Sequence, residues 1–193
     1  MSEQTPLSLG TEDIKKLLMR YAVPAIVAMT AASLYNMMDS IFIGHGVGAL
    51  GIAGLAVTFP FINLAAAFGS LVGAGASTLV SVKMGQKDLK SAEAVLGNVL
   101  LLNTVIGFLF MTVCLIFLDP ILYFFGASAD TLPYARDYMK VILYGNLITH
   151  IYMGLNEVMR ASGYPQRAMM ATLFAVLING VLNALFIFVL DMG

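Results

Sequence analysis

The feature that most constrains this chain is a series of five long apolar segments, each of them long enough to cross a lipid bilayer. They lie near residues 17–43, 50–82, 94–118, 134–159 and 168–190. A transmembrane helix needs about 20 mainly apolar residues, and backbone in the hydrocarbon core must satisfy its own hydrogen bonds. The sequence therefore predicts an all-α membrane protein with about five transmembrane helices, preceded by a polar N-terminal tail at residues 1–13.

The composition agrees with this class and argues against several functions. Hydrophobic residues make up 60% of the chain and charged residues 11%, whereas soluble domains carry about 25% charged residues. The formal net charge is −1, and no block of like charge indicates a nucleic-acid partner. The sequence has no metal-ligand spacing, phosphate loop or nucleophile–base motif. We therefore expect a protein that is not an enzyme, and whose main partner is the lipid bilayer.

The basic residues predict the orientation. Eight of the ten Lys and Arg residues fall on one side of the predicted spans. These eight are Lys15, Lys16, Arg20, Lys83, Lys87, Lys90, Arg160 and Arg167. Short cytoplasmic loops carry an excess of Lys and Arg. We therefore expect a multi-pass protein of the cell inner (plasma) membrane with its N-terminus in the cytoplasm.

Asp39 is the one formal charge between Tyr21 and Val82. An aspartate at the centre of a membrane helix costs roughly 2.5 to 3.5 kcal/mol, and such residues usually mark ion, proton or substrate sites. At 1.5 Å per residue, Asp39 lies about 28 Å beyond Arg20. The other interpretation is an acid at the helix end that bonds the glycine-rich loop at 44–48.

Two asparagines on the fifth segment are candidate partners for Asp39. Asn179 and Asn183 are four residues apart, so they share one helix face. Asn183 lies about 24 Å from Arg167, a depth similar to that of Asp39. A carboxylate and two amides at one level predict a site for a small cation or a proton. As an alternative, both amides bond neighbouring helices and serve only in packing.

Further polar and special residues mark the other segments. Asn146 and His150 share a face of the fourth segment, where a histidine either relays protons or makes a neutral hydrogen bond between helices. Pro24 in the first segment removes a backbone hydrogen bond, which allows a hinge or a static bend. The small residues Gly69 and Gly73 of the second segment predict close helix packing.

Six stretches of the sequence resemble one known family. They are 20–25 (RYAVPA), 34–44 (LYNMMDSIFIG), 85–88 (GQKD), 132–138 (LPYARDY), 159–165 (MRASGYP) and 178–188 (INGVLNALFIF). In this order and spacing they resemble the N-terminal part of a multidrug and toxic compound extrusion (MATE) transporter. The likeness covers nearly the whole chain from Lys15 on.

The resemblance implies a fold and a function. Such transporters have twelve helices in two six-helix lobes, and they expel amphipathic, often cationic, drugs in exchange for Na⁺ or H⁺. This chain would then be most of the N-terminal lobe, truncated before its sixth helix, with the C-terminal lobe as its missing partner. We expect no cofactor besides the coupling ion. The only metal expected is a Na⁺ at Asp39.

The resemblance also implies site residues. It places the cation site at Asp39, Asn179 and Asn183; the last position is often Asp in the family, so the choice between Na⁺ and H⁺ stays open. It adds Tyr138 and Asn156 to a cavity network. The complete candidate network is Tyr35, Asn36, Tyr138, Asn146, His150 and Asn156.

Two other functions compete with antiport. One is a flippase for lipid-linked precursors, related to the same superfamily. It would need basic residues facing a cavity to hold a phosphate, and the predicted spans carry Lys and Arg only near their ends. The other is a five-span membrane subunit without transport activity.

Overall fold

The computed structural model describes residues 12–185. This part of the chain forms six helices and no strand. The helices are α1 (Ile14–Gly46), α2 (Ala49–Gly85), α3 (Leu89–Ile116), α4 (Leu118–Phe124), α5 (Leu132–Ala161) and α6 (Pro165–Ala184). The predicted all-α class is therefore confirmed. The first three predicted segments correspond to α1, α2 and α3, the fourth to α5 and the fifth to α6, and the residues after 185 lie outside the described part.

Four of the described helices, α1, α2, α3 and α6, are long and apolar enough to cross a membrane. Helix α5 covers the fourth predicted span with 30 residues, but it is more polar and does not meet the same criterion. The reason lies in its position, because α5 contacts α2, α3, α4 and α6. Its polar side chains can therefore face other helices rather than lipid.

Helix α4 was not predicted, since the sequence indicated only a turn at Asp119 and Pro120. The structure instead has a short helix at Leu118–Phe124. Pro120 falls in its first turn, where the backbone N–H groups have no partner within the helix, so the proline is tolerated. Arg136 of α5 holds this helix by an ion pair, with its Nε donating to Asp119 Oδ1 over 2.7 Å and its Nη2 to Oδ2.

Glycines bring α2, α3 and α5 into close contact, as the small residues of the second segment predict. A Cβ atom built on Gly73 of α2 would lie 2.9 Å from the Gly154 Cα of α5. A Cβ on Gly107 of α3 would lie 3.4 Å from the His150 ring of α5. The backbones approach this closely because neither glycine carries a side chain. Helix α5 is thereby fixed between α2 and α3.

Helix α1 contacts chiefly α6. It runs through Pro24 as one helix of 33 residues, with Pro24 buried. A hinge at this proline stays a prediction. The α1–α6 contact is what places the polar groups of these two helices together.

Candidate cation site

Asp39 of α1 meets Asn183 of α6 within the described bundle. The Asn183 Nδ2 group donates to Asp39 Oδ1 over 2.7 Å and to Asn179 Oδ1 over 2.9 Å. All three side chains are partly buried. The structure thus brings together the three residues that the sequence proposed for a cation site, across 144 positions of the chain.

Two tyrosines complete this group. Tyr138 of α5 lies beside Asp39, and Tyr35 of α1 lies beside Asn179. Tyr35 and Asp39 are four residues apart, as are Asn179 and Asn183, so each pair lies on one helix face. We call Tyr35, Asp39, Tyr138, Asn179 and Asn183 the Asp39 cluster. It joins α1, α5 and α6.

The chemistry of the Asp39 cluster suits a hard cation or a proton. Two oxygens, Asp39 Oδ1 and Asn179 Oδ1, converge on the single Nδ2 atom of Asn183. Hard cations prefer carboxylate and carbonyl oxygens, which both residues supply. The tyrosine hydroxyls can donate to an ionised carboxylate or offer further oxygens. The same oxygens can therefore either accept hydrogen bonds within the cluster or bind a cation.

Asn36 lies outside this cluster. Its side chain is exposed, and its Nδ2 group donates to the Ala32 carbonyl of its own helix over 3.0 Å. A bond of this kind satisfies the amide locally. The Asn36 amide thus bonds its own helix, and its place in the cavity network stays a prediction.

Asn156 belongs to a second network, which ties α5 to α6. Its Nδ2 group donates to the Ala168 carbonyl over 3.1 Å, and its Oδ1 atom accepts from Arg160 Nε over 3.0 Å. Beside it, the hydroxyl groups of Tyr152 and Thr172 form a hydrogen bond of 2.8 Å. Among the described residues, no hydrogen bond links Asn156 to Asp39. Its position supports a role in holding α6 against α5.

We expect Asn156→Leu to destabilise the α5–α6 contact. Asn156 is 7% exposed, and the change removes its bonds to the Ala168 carbonyl and to Arg160 Nε, each worth about 0.5–1.5 kcal/mol. The melting temperature of the purified protein should fall by about 2–8 °C. Thr149→Val is the control on the same helix, because Thr149 is exposed and bonds only the Gly145 carbonyl of α5. Equal melting temperatures for the two variants would contradict this role.

Asn146 and His150 lie elsewhere again, between α5 and its neighbours α2 and α3. They are 4% and 1% exposed, and His150 Nδ1 bonds the Asn146 carbonyl over 2.9 Å. Sequence reasoning missed their companion Asn103 of α3, which is fully buried against Gly154. The signal was present, since Asn103 is an isolated amide within a long apolar segment.

These observations define a class, the multi-pass helical membrane proteins with a polar cluster inside the bundle. A family model described as MatE matches residues 24–185. The chain therefore belongs to the MatE family, as its sequence motifs suggested.

Named relatives agree with this membership. The chain is 28% identical over 188 residues to the multidrug export protein MepA of Staphylococcus haemolyticus (strain JCSC1435), covering 97% of this chain and 42% of that protein. It is 27% identical over 178 residues to MepA of Staphylococcus aureus (strain MRSA252), covering 92% and 40%. The chain thus spans about two fifths of the length of these exporters.

Solved structures share the fold. A MOP superfamily transporter from Pyrococcus furiosus superposes with a TM-score of 0.90 at 28% identity, covering 99% of this chain and 42% of that one. A multidrug resistance MATE family transporter, solved in an outward-facing conformation, also gives a TM-score of 0.90 at 27% identity, covering 99% and 43%. The described fold is therefore that of part of a MATE transporter.

Proposed function

We propose that this chain acts as the N-terminal lobe of a transporter that exports amphipathic, often cationic, small molecules in exchange for Na⁺ or H⁺. The observation that carries the proposal is the Asp39 carboxylate of α1, which accepts a hydrogen bond from Asn183 of α6 inside the bundle. The MepA relatives, whose names describe multidrug export, support the direction and the substrate class. The partner is a second lobe, and no cofactor besides the coupling ion belongs to the proposal.

The proposed orientation follows the basic residues. The N-terminus lies in the cytoplasm and the protein in the cell inner (plasma) membrane, because the predicted cytoplasmic side carries eight of the ten Lys and Arg residues. Asp39 then lies in the outer half of α1. A cation entering from outside meets Asp39 before it has crossed most of the bilayer.

The hydrogen bonds of Asn183 suggest how a cation is bound. In the structure, one Nδ2 atom bridges two oxygens, those of Asp39 and Asn179. Rotating the Asn183 amide by half a turn replaces this donor with the Oδ1 atom. Three oxygens then face one point, which suits Na⁺, or the amide oxygen accepts a proton carried by Asp39. Either ion therefore competes with the bond that joins α1 to α6.

Competition for this bond supplies a physical route to coupling. Without the ion, Asn183 donates to Asp39 and holds α1 against α6. With the ion, this donor is lost and ion–oxygen contacts replace it. A ligand shifts a conformational equilibrium only through its different affinity for the two states. In the proposed mechanism α1 moves, with Pro24 as the hinge.

The experiment that tests the function measures export of ethidium, an amphipathic cation, from cells that lack their own drug exporters. Cells that express the complete transporter should accumulate less ethidium than cells that carry the empty vector. Collapsing the Na⁺ gradient in one arm and the H⁺ gradient in another identifies the coupling ion. Equal accumulation with the transporter present in the membrane would contradict the proposal, as would export that survives loss of both gradients.

We expect Asn183→Leu to weaken the apparent cation affinity of transport by about tenfold or more. Hydrogen bonds to charged groups contribute about 1.5–3 kcal/mol, and 1.4 kcal/mol is tenfold in an equilibrium constant. The measurement is the cation concentration that gives half-maximal ethidium export in proteoliposomes. Asn98→Leu, the same change at an exposed position of α3, should match the parent. An unchanged half-maximal concentration in Asn183→Leu would show that Asn183 takes no part in binding.

A further inference from the structure

A second polar group lies inside the bundle, away from the Asp39 cluster. Asn103 of α3 is 0% exposed, and Asn146 and His150 of α5 are 4% and 1% exposed. Four of their atoms have no hydrogen-bond partner among the described residues, namely Asn103 Nδ2, Asn103 Oδ1, Asn146 Nδ2 and His150 Nε2. Native proteins rarely leave so many buried polar atoms unpaired in one place.

Asn103 and His150 lie along one α3–α5 contact. A Cβ atom on Gly154 would overlap the Asn103 amide nitrogen, so Asn103 lies directly against α5 at Gly154. A Cβ on Gly107 would lie 3.4 Å from the His150 ring. Asn103 and Gly107 are one turn apart on α3, as are Gly154 and His150 on α5. The Asn103 amide and the His150 ring are therefore neighbours about one helical turn apart along this contact.

The bonding of His150 defines its tautomer. Its Nδ1 atom lies 2.9 Å from the Asn146 carbonyl oxygen, and a carbonyl oxygen can only accept. Nδ1 therefore carries the hydrogen, which leaves Nε2 with a lone pair that needs a donor. The Asn103 amide has the same number of unpaired atoms if its nitrogen and oxygen are exchanged, because both atoms lack a partner.

The unpaired atoms form a balanced set. Asn103 Nδ2 and Asn146 Nδ2 are donors, whereas Asn103 Oδ1 and His150 Nε2 are acceptors. A water molecule donates two hydrogen bonds and accepts two, and buried waters make two to four bonds to such groups. A metal cation suits the set poorly, since the amide N–H groups would repel it and no carboxylate is among the three side chains. Water is the ligand that matches both kinds of atom.

We propose that Asn103, Asn146 and His150 bind ordered water inside the contact between α2, α3 and α5, at a site separate from the Asp39 cluster. The water pairs with the donor and acceptor atoms that have no partner among the described residues. Gly69 of α2 covers the His150 ring from the other side, with a would-be Cβ atom 3.4 Å from its Cγ. The site is thus enclosed by three helices.

The test is magnetisation transfer from water to the protein, measured by NMR on the complete transporter in lipid bilayers. The protein carries labelled histidine and methionine, and the His150 signal is identified by its loss in His150→Gln. Met139 is the control without bound water, because it also lies on α5 and is 0% exposed within an apolar cluster. We expect transfer to the His150 ring and none to the Met139 methyl group. Absence of transfer to His150 would overturn the proposal, and so would equal transfer to both residues.

A second variant tests whether Asn103 belongs to the site. Asn103→Leu keeps the side-chain size but removes one donor and one acceptor, so transfer to His150 should fall at least twofold. Unchanged transfer in this variant would overturn the assignment of Asn103. If the variant does not fold, the comparison of His150 with Met139 in the parent protein decides the proposal alone.

Discussion

Replacing Asp39 with asparagine is expected to lower drug export by the complete transporter by a hundredfold or more. The side chain keeps its size and its contact with Asn183 of α6, but it loses the negative charge that attracts the cation. Two opposite unit charges 4 Å apart attract by about 4 kcal/mol at an effective dielectric constant of 20, whereas a hundredfold change needs about 2.7 kcal/mol. The charge alone therefore suffices for the effect.

The measurement for this variant is ethidium export from cells, with the amount of transporter in the membrane determined in parallel. Asp130→Asn is the matched control, because it makes the same chemical change at an exposed position before α5. It should export ethidium like the parent. Parent-level export by Asp39→Asn, at equal membrane abundance, would remove Asp39 from the mechanism.

Replacing Gly154 with valine is expected to destabilise the packing of α2, α3 and α5. A Cβ atom at this position would overlap the Asn103 amide, and it would lie 3.2 Å from Val99 Cγ1. Helix α2 is equally close on the other side: a Cβ atom built on Gly73 of α2 would lie only 2.9 Å from the Gly154 Cα. Overpacking a tight core typically costs about 1–3 kcal/mol, and a branched side chain crowded from two helices belongs at the upper end.

The yield of monodisperse protein after detergent extraction, together with its melting temperature, tests this variant. Gly145→Val on the same helix is the control, since a Cβ there meets no atom within 4 Å. We expect normal yield for the control, and a lower yield with a lower melting temperature for Gly154→Val. Comparable yields and melting temperatures would show that α3 and α5 do not approach each other as described.

Local features were predictable because helical periodicity is a property of short stretches of chain. Spacing alone puts Tyr35 with Asp39, and Asn179 with Asn183, on shared faces. Equal depth in the membrane also made a contact between α1 and α6 reasonable, and the bond from Asn183 to Asp39 is present. That this cluster binds a cation stays a prediction.

Other features depend on which helix face meets which neighbour, and sequence patterns do not specify this. Sequence patterns did not indicate that the Asn36 amide bonds its own helix or that the Asn156 amide bonds α6, and the place of both in a cavity network stays a prediction. Asn103 was missed because a single amide in an apolar segment has no periodic partner. The short helix α4 was missed because Asp119 and Pro120 are typical of turns as well as of a helical first turn.

The central claim is that Asp39 binds the cation that drives export. The most direct test loads purified transporter into liposomes, imposes a gradient of a cationic drug, and records the opposing flux of Na⁺ and of H⁺. We expect a drug-dependent flux of one of these ions with the parent and with Asp130→Asn, and none with Asp39→Asn. A drug-driven ion flux that persists in Asp39→Asn would contradict it.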